Sequence, residues 1–243
     1  MSTATIPVAV ERLDLESSGD AAQVFLHKQR YDFALARLSR QDSVLEVGTG
    51  TGFFSNILAG HCASYTGLEI DPESCEETRR RVGERGTVVQ GDAQALPFPD
   101  GSFSAAVALE VLEHIPDYRK ALREIHRCLR QDGRIIISVP YRRIGGKTAL
   151  NPYHVYEPGE NELVQAFRHY FRNVETFYQY FAETTLMTAA RVLHVRRFFG
   201  LAQIYGDLWG GVPAVLDRVK IDSLGAGMRI CLLLAASNKR NIP

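Results

Sequence analysis

Apolar residues in this chain gather in short unbroken runs, separated by longer stretches in which they recur every three or four positions. Val44 to Val47, Tyr65 to Asp71, Thr87 to Gln90, Ser104 to Ala108, Arg134 to Val139, Val174 to Tyr178 and Met228 to Ala236 read as strands. The spacing predicts helices from about Ala21 to Leu38, Phe53 to Gly60, Glu73 to Arg85, Asp117 to Leu129 and Glu160 to His169. Alternating strands and helices, with strands apolar on both faces, imply a parallel sheet covered on two sides. Punctuation supports these boundaries: Ser18-Gly19-Asp20 can cap the first helix, and Asp71-Pro72 can cap and open the third. Gln131-Asp132-Gly133 is expected to close the fourth. Residues 1 to 18 show no period, and Arg142 to Pro158 is a breaker-rich loop carrying Gly145-Gly146 and Asn151-Pro152-Tyr153-His154.

The run ending in Glu46-Val47 passes straight into Gly48-Thr49-Gly50-Thr51-Gly52 and then an apolar helix. Three glycines spaced two apart permit positive φ and leave no Cβ between backbone and ligand, so the turn is a cradle. A carboxylate just ahead of it would repel a pyrophosphate and suits a ligand carrying an ammonium group. A dinucleotide-binding turn would want a small residue at position 53, where this chain has Phe53.

The Glu46 to Gly52 segment resembles the first motif of the class I S-adenosylmethionine-dependent methyltransferases, an acidic residue followed by Gly-x-Gly-x-Gly. Three further segments resemble that family in order: Glu69 ending the second strand, Gly91-Asp92-Ala93, and Leu109-Glu110-Val111-Leu112-Glu113-His114-Ile115. The family's last strand runs antiparallel, so the resemblance implies a Rossmann-like, doubly wound α/β sheet of seven strands. It also implies S-adenosyl-L-methionine as cofactor, held by Tyr31, Glu46, Gly48, Thr49, Gly50, Gly52, Glu69, Ile70, Asp92, Ala93, Leu109 and Glu110. Within that set Glu69 would accept the ribose hydroxyls, Asp92 and the Ala93 N–H would meet the adenine, and Tyr31, with His27 nearby, would lie at the methionine end. Asn151 to Glu157 resembles methyltransferases associated with sugar and polysaccharide biosynthesis. Position 49, where the family often has Cys or Ala, is Thr49.

Composition narrows the partners. At 243 residues and 45% hydrophobic content, the chain can bury one sizeable core. Lys plus Arg equals Asp plus Glu at 28 each, so no global field draws it to nucleic acid, and the Arg79-Arg80-Arg81 run is flanked by acids. No Asn/Asp-Pro-Pro-Tyr follows the fourth strand, which disfavours methylation of nucleic-acid amino groups. Four dispersed cysteines, with no Cys-x-x-Cys and no His at ligand spacing, argue against zinc and a disulfide framework and for a reducing, cytoplasmic setting. No signal peptide is evident and no run is long enough to span a membrane.

The chain thus divides into a cap helix within 1–40, a cofactor-binding half over 41–140, an acceptor-side loop over 141–180, an insertion over 181–227 and a last strand over 228–243. The insertion interleaves Leu193, Val195, Phe198, Phe199 and Trp209 with Arg191, His194, Arg196 and Arg197. It reads as a lid on the acceptor pocket, a homodimer surface, or a basic-aromatic helix in peripheral contact with a membrane. Methyl transfer from a sulfonium is an in-line displacement governed by alignment. For a small-molecule or glycan hydroxyl a general base helps, and His154 and His114 are the candidates at the predicted mouth. The rival readings are a non-catalytic cofactor-binding partner and, against Phe53, a nucleotide-dependent oxidoreductase.

Overall fold

The computed structural model describes residues 21–147, 151–182 and 227–241. Its strands are β1 (Ser43–Val47), β2 (Ser64–Glu69), β3 (Thr87–Gln90), β4 (Phe103–Leu109), β5 (Leu129–Pro140), β6 (Phe171–Ala182) and β7 (Gly227–Lys239). Its helices are α1 (Ala21–Leu35), α2 (Ser55–His61), α3 (Pro72–Val82), α4 (Tyr118–Cys128) and α5 (Glu160–Tyr170). They form one seven-stranded sheet in the order β3-β2-β1-β4-β5-β7-β6. Strands β1 to β5 pair in parallel, and β7 runs antiparallel to both β5 and β6, as the resemblance implied.

The period of two along each strand sorts its side chains into two cores. Leu45, Val47, Ala106, Ala108, Ile135, Ile137 and Val139 pack with Leu122, Ile125, Leu163 and Phe167 of α4 and α5. Val44, Ala105, Val107 and Ile136 pack with Tyr31, Phe33, Leu58 and Cys75 of α1, α2 and α3. Glu46 shares the period of Val44 and therefore faces α1 and α2 from inside the sheet.

Two helix starts form as predicted. Asp71 accepts from the Ser74 N–H with Pro72 in the first turn, and Asp117 accepts from the Lys120 N–H. The end of α4 differs from expectation, because Leu129 is already extended and pairs with Phe103 of β4. Leu129 is buried in the first core, which pulls the chain into the sheet at once. The next strand pair is Ala105 with Arg134, so residues 130–133 bulge out between the two. A Cβ on Gly133 would lie 2.8 Å from the Arg130 carbonyl, so its glycine serves this tight return and not a helix end. Strand β6 is longer than predicted at both ends, and apart from 181, 182 and 227 the insertion lies outside the described residues.

The chain leaves β1 toward β2 and β3 on one side, whereas β4 and β5 lie on the other. This reversal opens a crevice beyond the carboxyl ends of β1 and β4, the place where open α/β sheets take ligands. Among the described residues, no helix is long and apolar enough to cross a membrane.

Candidate functional site

Beyond β1, Gly48 and Thr49 both donate their N–H to the Leu68 carbonyl, at 2.8 and 3.3 Å, which fastens the turn to the end of β2. Gly48, Gly50 and Gly52 have φ of 72°, 54° and 72°, a region that side chains disfavour. Their surroundings differ. A Cβ on Gly48 would meet Val111 at 2.6 Å, and one on Gly52 would meet the Thr78 Cα at 2.8 Å, whereas one on Gly50 would find nothing within 4 Å. Gly48 and Gly52 are packing glycines, and the open space lies over Gly50. Thr78 Oγ1 donates to the Gly50 carbonyl at 2.8 Å and lies 3.1 Å from Thr49 Oγ1, bracing the turn from α3.

The three expected carboxylates have different company. Glu69, at the end of β2, accepts from the Gly50 N–H at 2.8 Å and from the Ile70 and Asp71 N–H groups at 2.9 and 3.0 Å. Burial raises its pKa, and the N–H groups of Asp71, Gly50 and Ile70 oppose that rise. Glu46 is 2% exposed and accepts from the hydroxyls of Tyr31, at 2.6 Å, and Tyr65. Its pKa too is raised by burial, against those two donors. Asp92 lies beyond β3, half-buried, accepting from the Gln94 N–H at 2.8 Å, with Ala93 buried beside it. Ile70 follows Glu69 with 40% of its surface exposed.

Beyond β4, Leu109 is followed by Glu110 at φ 56°, a strained value for a residue with a side chain. The Glu110 N–H donates to the Ser138 carbonyl at 3.0 Å, and Ser138 Oγ donates back to the Glu110 carboxylate at 2.7 Å. Arg30 of α1 stands 3.5 Å from the same carboxylate and donates to Gln179 of β6 at 2.9 Å. Burial opposes the charge on Glu110, yet Arg30 and Ser138 outweigh it and hold the carboxyl below its usual range. Helix α1 is thereby tied across the crevice by a buried ion pair. His27, one turn before Arg30, is held down to about 4 by burial and by Arg30, against the pull of Glu110.

The mouth is built by one backbone junction. The N–H groups of Val155 and Tyr156 both donate to the Glu113 carbonyl, at 2.9 and 3.2 Å, and this lays the 151–157 loop against the short 3-10 turn Leu112–His114. His114 and His154 then meet edge to face, with ring centroids 4.8 Å apart. His154 Nδ1 lies 2.6 Å from Glu157 Oε1, and its Nε2 lies 2.9 Å from Asn151 Nδ2. Asn151 Oδ1 accepts from the Tyr153 N–H, so its amide NH₂ turns toward the ring. Nε2 is then the acceptor, and Nδ1 carries the proton toward Glu157. His114 Nδ1 lies 3.2 Å from the Tyr153 carbonyl, and Glu157 also pairs with Arg142. Glu113 is 1% exposed; its Oε2 is buried and has no hydrogen-bond partner among the described residues. Burial first and Glu110 second push its pKa well up.

The structure therefore brings Gly50 and Glu69 into direct contact, couples Tyr31 to Glu46, and sets His114 against His154. It does not join Asp92 to the others by any hydrogen bond described. Sequence reasoning passed over Tyr65, Thr78, Arg30, Glu113 and Glu157. Glu157 and Glu113 had a local signal, three residues after His154 and directly before His114 within segments that resemble the family, whereas the contacts of the others form across the fold.

A methyltransferase-domain family model matches residues 45–137. A probable S-adenosylmethionine-dependent methyltransferase of Mycobacterium tuberculosis is 31% identical over 140 residues, covering 56% of this chain and 50% of that protein. The chain spans about half the length of the first curated relatives it matches. A phosphatidylethanolamine N-methyltransferase of Cereibacter sphaeroides is 31% identical over 137 residues, covering 49% of this chain and 67% of that protein. Among solved structures, the YcgJ protein of Bacillus subtilis aligns with a TM-score of 0.60 at 20% identity, over 88% of this chain and all of that one, a likeness of fold. The strand order, the glycine turn fastened to β2 and these similarities agree: the chain belongs to the class I S-adenosylmethionine-dependent methyltransferases.

Proposed function

We propose that this protein transfers the methyl group of S-adenosylmethionine to a hydroxyl of a small molecule or glycan presented at the mouth formed by residues 110–115, 142–147 and 151–158. The observation that carries the reading is the turn at Gly50: its N–H is fixed by Glu69 and its Cβ position faces open space, while Gly48 and Gly52 are hemmed in. A nucleoside can lie there against bare backbone, with Glu69 beside its ribose, the exposed face of Ile70 against its base, and Asp92 and Ala93 at the base edge. The buried set of Tyr31, Glu46 and Tyr65 underlies this floor, and Arg30 with Glu110 holds α1 over the methionine end.

Bound there, the sulfonium supplies an electrophilic methyl carbon, and the protein's task is alignment and handling of the acceptor's proton. A hydroxyl's own pKa lies far above neutrality, so a group at the mouth has to favour its oxyanion. His154, oriented by Glu157, and His114 beside it are the groups that meet it. An amine acceptor is the second reading, favoured by the similarity to the phosphatidylethanolamine N-methyltransferase.

The test is transfer of labelled methyl from S-adenosylmethionine to a panel of hydroxyl and amine acceptors. With the acceptor found, His154→Gln is expected to lower transfer by about 100-fold or more while leaving binding of S-adenosylhomocysteine intact. Undiminished transfer would remove His154 from the reaction.

A further inference from the structure

We infer that Glu113, His114 and His154 form a binding site for one divalent transition-metal cation at the acceptor mouth. Each offers one ligating atom, and the three atoms lie within 4.8 Å of one another. Ligands about 2.1 Å from a shared ion in tetrahedral geometry stand about 3.4 Å apart, so side-chain adjustments of at most about 1.4 Å per pair close the set. Two imidazoles and one carboxylate are a donor set suited to zinc, iron(II) or cobalt(II), with open positions left for an acceptor oxygen.

Two observations beyond proximity point to a ligand. The first is Glu113: a carboxyl oxygen shut away from water with no donor among the described residues is a costly thing to keep, and a cation supplies what it lacks. The second is the setting of the two imidazoles. His154 directs Nδ1 to the buried Glu157 carboxylate and His114 directs Nδ1 to the Tyr153 carbonyl, the partners that ordinarily orient metal-bearing histidines through the other ring nitrogen. Arg142 in turn fixes Glu157. Binding asks Asn151 to give up its contact with His154 Nε2, a swing of one amide on a loop.

The site escapes sequence reading because its ligands come from two segments some forty residues apart, brought together by the bonds from Val155 and Tyr156 to the Glu113 carbonyl and by the contact of His114 with the Tyr153 carbonyl. Its use rests on the proposed reaction: an acceptor hydroxyl bound as a further ligand would become a stronger acid and release its proton to water, so the ion would favour the oxyanion in place of a free imidazole.

The full chain, without a histidine tag and stripped with chelator, is titrated with Zn²⁺ by calorimetry and with Co²⁺ by visible absorption. One ion per chain is expected, with ligand-field bands for Co²⁺ that show nitrogen and oxygen ligation. Glu113→Gln, close in shape to the native side chain, and His114→Asn should each weaken Zn²⁺ by about tenfold or more. Retained S-adenosylhomocysteine binding certifies the fold of each variant. Absence of saturable binding by the native chain, or affinity unchanged in both folded variants, overturns the site. Loss of ion binding together with intact methyl transfer in the native chain sinks this inference and leaves the function standing. Ion binding without any S-adenosylhomocysteine binding does the reverse.

Discussion

At the scale of single residues, burial decides the electrostatics. Glu46 survives inside the sheet because two tyrosine hydroxyls donate to it, so it acts as a pillar under the cradle before it acts on any ligand. Removing one donor leaves a buried carboxylate short of a partner, which costs about 1–3 kcal/mol. Tyr65→Phe is therefore expected to lower the melting temperature by about 2–4 °C per kcal/mol, measured by calorimetric unfolding. An unchanged transition would mean that Glu46 finds its donors elsewhere. His27 gives a pH signature. Its folded pKa is about 4, below its ordinary 6.5, so the unfolded chain takes up the proton first as pH falls. The stability it lends is complete above about 6.5 and is lost progressively down to about 4. The melting-temperature difference between the native chain and His27→Gln should shift against the native chain across that window, and a constant difference would contradict the assignment.

At the scale of elements, the glycine turn does two jobs at different positions. Gly52→Ala forces a Cβ against the Thr78 backbone in addition to the left-handed strain of about 1–2 kcal/mol, and its expected effect is on stability. Gly50→Ala meets only the strain, yet its methyl projects into the open cradle, and its expected effect is a loss of about tenfold or more in S-adenosylhomocysteine affinity. Thermal unfolding and calorimetric titration of the two variants separate these outcomes; equal effects on both readouts would refute the division. The contrast also marks what sequence can reveal. The glycines, Glu69 and the Asp71-Pro72 helix start were legible because turns and caps are written locally. The Arg30 to Glu110 tie, the brace from Thr78 and the stranded Glu113 were not, because each depends on elements that meet only after the sheet has formed. Leu129 shows the limit for boundaries: local punctuation favoured a helix closed by Gln131-Asp132-Gly133, and burial in the core drew the chain into β5 at Leu129, five residues before the predicted start at Arg134.

At the scale of the molecule, the order β3-β2-β1-β4-β5-β7-β6 sets the whole arrangement. It places the ends of β1 and β2 beside those of β4 and β5, so the carboxylate of Glu69 and the histidine mouth line the same edge of the sheet. Apolar period and strand count made this architecture readable from the chain, with the antiparallel seventh strand supplied by resemblance. Both histidines were expected at the mouth, but their contact needed the structure, since only the folded chain shows His154 coming to rest against His114. The central claim is that the crevice beyond β1 and β2 holds S-adenosylmethionine through Gly50 and Glu69. Calorimetric titration with S-adenosylhomocysteine and with NAD tests it most directly. The account predicts one S-adenosylhomocysteine per chain, weakened by about tenfold or more in Glu69→Ala, and no heat from NAD. Binding of NAD with none of S-adenosylhomocysteine, or affinity indifferent to Glu69→Ala, would contradict it.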